Sequence, residues 1–203
     1  MEVDIIKELL FPVPMYQKVL PRFAEKQTDT VAVIQQLRTE CDGVVRSNAG
    51  GWHSLDNLHK SEDPNIAWIM QRALQITKDC IEDYYGSSKE GQLHLVAAWA
   101  NINSAGNWNA PHSHLPCQWS GCFYVKIDEA GGQINDGNIV FLDPLPLGPQ
   151  FRKSSNAVMR PKTGMMLIFP SYLMHMVEPH NNDEDRISIA FNFQWVDKKS
   201  DSD

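Results

Sequence analysis

The sequence predicts a mainly β domain, an antiparallel sandwich or barrel, with helices from the N-terminal half packed outside it. Three observations carry that expectation. The apolar periodicity changes near Gln92, from a helical beat to strict alternation in Leu93, Leu95, Ala97 and Trp99. Short strand candidates then recur: Gly121–Ile127, Gly137–Leu142, Gly164–Phe169 and Ile187–Val196. Glycine and proline punctuate the intervals, as turns between short strands require.

The N-terminal elements follow the same logic. Leu10-Phe-Pro-Val-Pro-Met-Tyr16 combines β-formers with two prolines and suits an edge strand. Leu20–Cys41 reads as a helix with Val31, Val33, Ile34 and Leu37 on its apolar face and Gly43 after its end. Asn48–Ser61 reads as a loop, with Asn48, Gly50 and Gly51 supplying turn chemistry. Asp63-Pro64 supplies a cap and a first-turn proline for a second helix, whose apolar residues run from Ile66 to Ile81 before Gly86. Residues 1–203 are expected to form one domain: a mostly helical part with an edge strand over 1–91, a β core over 92–196, and a charged, disordered tail over 197–203.

Composition narrows the function classes. The chain is 42% apolar and 21% charged, as soluble globular proteins are, and its formal charge of −7 argues against a general nucleic-acid binder. No apolar run has the length of a membrane span, and Met1–Leu10, with three acidic residues and no basic n-region, predicts no signal peptide. Cys41, Cys80, Cys117 and Cys122 lack the second close pair of a zinc ribbon and read as free thiols of a cytoplasmic protein. Oligomeric state is left open, a homodimer included.

The chemistry concentrates in Asn109-Ala-Pro-His112-Ser-His114. Two residues apart on a strand, both imidazoles share a face and can meet one metal. His175 follows 63 residues after His112, and Arg186 comes 11 residues after His175. Three imidazoles leave coordination positions open for a chelating cosubstrate and dioxygen, although imidazole suits iron, zinc, copper and nickel alike. Arg186 opens the strand Ile187-Ser-Ile-Ala-Phe-Asn192, where a guanidinium can bind a carboxylate bidentately. His53, His59, His94 and His180 read as ordinary surface or satisfied core histidines. Pro144–Thr163 carries Arg152, Lys153, Arg160 and Lys162 with no acidic residue, consistent with a lid that attracts an anion or with a solvated loop.

In order and approximate spacing, His112, His114, His175 and Arg186 resemble the 2-oxoglutarate/Fe(II)-dependent oxygenases of the double-stranded β-helix fold. The resemblance is closest to a branch marked by Trp99-x-Asn101, Gly106, Asn109, His112-x-His114 and Ser120-Gly-x-x-Tyr124-Val125. Further along come Phe141-x-Asp143-Pro144, Pro161-x-x-Gly164, Phe169-Pro170, His175 and Arg186-Ile-Ser-Ile-Ala-Phe-Asn192. It implies Fe(II) on His112, His114 and His175, and 2-oxoglutarate as cosubstrate with its far carboxylate on Arg186 and Tyr124. It also implies hydroxylation of an unidentified small molecule or protein side chain. Better-known members carry a carboxylate where this chain has His114. A cupin-type three-histidine metalloenzyme that does not use 2-oxoglutarate is a second reading of the same residues. In it, Gln118 takes the place where cupins often have glutamate. A metal-free β-barrel binding module is a third.

Overall fold

The computed structural model describes residues 12–86, 91–128, 137–144 and 156–197. Two antiparallel sheets dominate. The larger runs in the order β1 (Tyr16–Val19), β9 (Met165–Pro170), β6 (Trp119–Lys126), β11 (Arg186–Asp197), β4 (Gly91–Asn103), β3 (Trp52–His53). The smaller runs β2 (Asn48–Ala49), β5 (Trp108–His112), β10 (His175–Val177), β7 (Ile139–Leu142), β8 (Asn156–Met159). The mainly β class with helices outside therefore stands.

Strand alternation gives the larger sheet two different faces. Ala98, Ala100 and Ile102 of β4, Phe123 and Val125 of β6, and Ile187, Ile189, Phe191 and Phe193 of β11 join one buried apolar cluster with the helices. Their alternates Trp99 and Asn101, Cys122 and Tyr124, Arg186, Ser188 and Asn192 border a cavity on the other face. Period two thus sends the hydrophobic set to the helices and the polar set inward. Gly121 shows how tight the layering is. A Cβ there would stand 2.3 Å from the Phe191 ring and 2.5 Å from the Leu167 carbonyl oxygen.

Helix α2 (Pro64–Tyr85) buries Ile66, Ile69, Met70, Ala73, Ile76, Thr77, Cys80 and Ile81, the expected stripe. Asp63 Oδ1 accepts from the Asn65 and Ile66 amides, both at 2.9 Å, and so satisfies two free donors of the first turn. Helix α1 (Gln27–Glu40) begins later than Leu20, because Pro21–Glu25 forms a separate 3-10 turn. Among its expected face residues only Ile34 is fully buried, with Thr30 beside it, while Val31, Val33 and Leu37 are partly covered.

Other boundaries shift as well. The N-terminal edge strand is Tyr16–Val19, after both prolines, and Leu10 and Phe11 lie outside the described residues. The segment read as the loop Asn48–Ser61 contains β2, β3 and a 3-10 turn at Leu58–Lys60. These two-residue strands carry no periodicity of their own, and pairing with β5 and β4 creates them. Of the basic segment, Arg152 and Lys153 lie outside the described residues, as does the tail from 198 to 203.

Candidate metal and cosubstrate site

Register brings the distant histidine home. β10 pairs antiparallel with β5 so that His175 stands directly opposite His112, with ring centroids 4.4 Å apart. The same-face expectation for His112 and His114 needs correction in its detail. β5 ends at His112, and His114 lies beyond the strand. The backbone places it instead: the His114 amide donates to the Ser171 carbonyl oxygen at 2.9 Å, just past the end of β9. Ser171 is itself tied by its hydroxyl to Ser120 at 2.7 Å. The outcome still serves the expectation. The His114 ring lies 5.0 Å from both His112 and His175, and one ligating nitrogen from each of the three lies within 4.8 Å of the others.

Backbone carbonyls select the tautomer. His112 Nδ1 is 2.7 Å from the Ala110 oxygen, and His175 Nδ1 is 2.8 Å from the Leu173 oxygen. A carbonyl only accepts, so Nδ1 carries the proton in both and Nε2 keeps the lone pair a metal needs. The electrostatics agree. Burial, then the neighbouring His175, His112 and His53, push the His114 pKa down to about 3. Burial and His112 push His175 down to about 4. Burial also lowers His112. All three are therefore neutral near pH 7 and can bind a cation without first losing a proton.

Arg186 borders the same cavity, whose volume is about 410 Å³. It is 5% exposed. Its Nε donates to the Gly137 carbonyl at 3.2 Å and its Nη1 to Ser188 Oγ at 3.2 Å. Among the described residues no carboxylate pairs with it. Its guanidinium carbon lies 5.2 Å from the centroid of the Tyr124 ring. Tyr124 is fully buried, and its hydroxyl has no hydrogen-bond partner among the described residues. Burial, reinforced by the Cys122 thiol, raises its pKa well above the ordinary value despite Arg186, so the group is a neutral donor. A buried cation without an anion and a buried hydroxyl without a partner are each costly unless a ligand completes them. A carboxylate meets both needs, so the residues present fit a metal-chelating dicarboxylate.

Comparison with known proteins decides between the readings. Residues 97–192 match the family described as putative 2OG-Fe(II) oxygenase. That stretch, just under half of the chain, is similar to the 2-oxoglutarate/Fe(II)-dependent oxygenases. Fe(II) and 2-oxoglutarate are accordingly its cofactor and cosubstrate, and it is an enzyme. No curated protein matches. Solved structures share the fold at low identity. A prolyl-4-hydroxylase from Pseudomonas putida superposes with a TM-score of 0.60 at 14% identity, covering 90% of this chain and 92% of that one. HygX from Streptomyces hygroscopicus, solved with nickel, 2-oxoglutarate and hygromycin B, gives 0.61 at 12% identity over 90% and 83%. The viral collagen prolyl hydroxylase of Paramecium Bursaria Chlorella virus-1, in its 2OG complex, gives 0.56 at 10% identity over 88% and 95%.

In this oxygenase several expectations change. Gln118, the glutamine of the cupin reading, is exposed, and its Oε1 accepts from the Trp195 amide at 2.8 Å. It therefore takes no part in the histidine cluster. Cys117 and Cys122 border the cavity without joining that cluster. His94 is exposed, His59 is half-buried, and His180 is buried with Nε2 on the Asn103 carbonyl at 2.8 Å, away from the site. His53 departs from its ordinary reading. It is buried and borders the cavity, as does Asn101. No local pattern marked His53, because a two-residue strand offers no period to read.

Proposed function

We propose that this oxygenase holds Fe(II) on His112, His114 and His175, anchors the far carboxylate of 2-oxoglutarate on Arg186 with help from Tyr124, and hydroxylates a C–H bond of its substrate. The single observation that carries this reading is the buried Arg186, without an acid partner among the described residues, in the cavity that also holds three neutral imidazoles. Charge supports it. The imidazoles bring no negative charge to a divalent ion, and Arg186 adds a positive one, so a dianionic cosubstrate is the complement that the site lacks.

Iron, when bound, supplies the redox chemistry that couples oxidative decarboxylation of the cosubstrate to oxidation of the substrate. The protein's own groups do the rest. Ala110 and Leu173 carbonyls keep two imidazoles in the tautomer that ligates. Arg186 and Tyr124 fix the end of the cosubstrate remote from the metal, which orients its keto-acid end. Phe169, 5.0 Å from the His175 ring, and Phe141, 5.8 Å from it, shield that side of the centre from water. The substrate is a small molecule or a protein side chain, the two kinds of partner named for the structural neighbours. No helix of the described residues is long and apolar enough to cross a membrane, and the four cysteines are free thiols. We place the enzyme in the cytoplasm on the thiols, and cell fractionation tests it.

Anaerobic Fe(II) titration tests the centre. Wild type binds one equivalent, and His112→Ala, His114→Ala and His175→Ala each bind far more weakly. Wild-type affinity in all three variants would remove the proposal.

A further inference from the structure

The cavity has a polar wall that the three histidines and Arg186 leave unused. His53, on β3, lies outside the residues of the family match and is 4% exposed. Strand pairing sets it directly across from Asn101 of β4. Its ring stacks on Trp99, with centroids 5.3 Å apart and planes 11° from parallel. Trp99 in turn lies 5.4 Å from the His114 ring. The wall is therefore continuous with the proposed metal centre.

Hydrogen bonding fixes what this wall offers. His53 Nδ1 is 2.6 Å from the Ser54 carbonyl oxygen. That contact requires a proton on Nδ1 and leaves a lone pair on Nε2, to which no described residue donates. Asn101, across from His53, is 8% exposed, and its Oδ1 is closed off from solvent without a partner among the described residues. His53 Nε2 is thus an acceptor in the cavity wall with no donor among the described residues. Buried acceptors are normally paired, so the donor must come from what fills the cavity. Cationic donors are disfavoured, because a divalent metal on three neutral imidazoles, a dianionic cosubstrate and Arg186 together leave the cavity with an excess of positive charge. Arg46 and Asp56 at the cavity edge lie 3.8 Å apart and offset each other.

We propose that His53 Nε2 is a substrate-positioning site that takes a neutral hydrogen-bond donor, a hydroxyl or an amide N–H, from a substrate lying along Trp99. The proposal rests on the iron and 2-oxoglutarate reading above. It predicts a polar, donor-bearing substrate, because an apolar one would cover His53 Nε2 and leave it without a partner.

Paired fragments test it. The zinc-loaded protein with 2-oxoglutarate bound, which is redox-silent, is titrated with 2-pyrrolidinone and N-methyl-2-pyrrolidinone, and with benzyl alcohol and benzyl methyl ether. Each pair differs in a donor blocked by methylation. Ring ¹⁵N signals of His53, assigned from their loss in His53→Phe, are followed throughout. We expect the Nδ1-protonated tautomer. The donor-bearing member should shift Nε2 and bind about tenfold more tightly than its methylated partner. His53→Phe keeps a flat ring over Trp99 and should erase that preference while zinc and 2-oxoglutarate affinities stay unchanged. Equal binding of both members, an unmoved Nε2 signal (including the case where no fragment binds), or the opposite tautomer overturns the proposal. Failure of wild type to bind zinc or 2-oxoglutarate would instead overturn the cofactor reading, and the pair preference is then measured in the metal-free protein.

Discussion

Arg186 and Tyr124 illustrate how single side chains are left incomplete for a ligand. Removing the guanidinium takes one half of a buried charge-assisted pair from the complex. Arg186→Ala should therefore weaken 2-oxoglutarate binding by on the order of 2–5 kcal/mol and leave Fe(II) affinity nearly unchanged, as calorimetry can show. Tyr124→Phe should act in two directions. It deletes an unpaired buried hydroxyl, so the ligand-free protein should become about 1 kcal/mol more stable, while cosubstrate binding weakens. A chemical-denaturation curve that moves the other way would show that the hydroxyl is already satisfied. His114 stands where commoner relatives carry a carboxylate, and the same scale of argument applies. Aspartate also ligates Fe(II), so His114→Asp should keep the metal. An anionic oxygen replacing a neutral nitrogen should alter the electronic spectrum of the iron–2-oxoglutarate complex. Coincident spectra of the folded proteins would falsify a three-histidine site. Histidine, arginine and their spacing were legible at this scale. The ring tautomers were not, because they depend on carbonyl oxygens brought near by the backbone path.

At the scale of elements, α2 was the most readable, since its cap and stripe are both local. Asp63→Ala should cost about 1 kcal/mol by freeing the Asn65 and Ile66 amides, a change measurable by denaturant titration with an unchanged slope. An unaltered midpoint would mean that water replaces the cap at no cost. Strands were legible where they are long and alternate, as in β4, β6 and β11. Among the short ones β7 was legible from its apolar run, whereas β2, β3, β8 and β10 were not. β5 contains Pro111 and ends at His112, β10 spans three residues, and β8 lies inside the segment read as a lid or loop. Such strands exist because a neighbour pairs with them, and a pairing partner distant in sequence leaves no local trace. Both members of the central histidine pair, His112 and His175, sit on these short strands.

The whole molecule joins a helix-backed apolar layer to a polar cavity through one sheet. Ligands that bind only the folded form raise its stability by mass action. Fe(II) with 2-oxoglutarate, each at about a hundred times its Kd, should add about 2.7 kcal/mol per ligand. For a domain of this size that raises Tm by about 5–10 °C per ligand. Chelation of the metal should reverse its share, and Arg186→Ala should lose the 2-oxoglutarate share alone. An unshifted Tm in the wild type would contradict the assigned site.

By itself the sequence determined the alternation that makes the core β, the helices that cover one face, and the residue types that match a 2-oxoglutarate/Fe(II) oxygenase. These follow from properties a residue carries with it: periodicity, turn chemistry, donor type and spacing. Tertiary structure alone decided that His175 faces His112, that His114 is held by Ser171 rather than by a strand, and that His53 and Asn101 share the cavity. Register causes this difference. Sliding one strand by a single residue exchanges its two faces, and what selects the register is burial and hydrogen bonding summed over partners far apart in the chain.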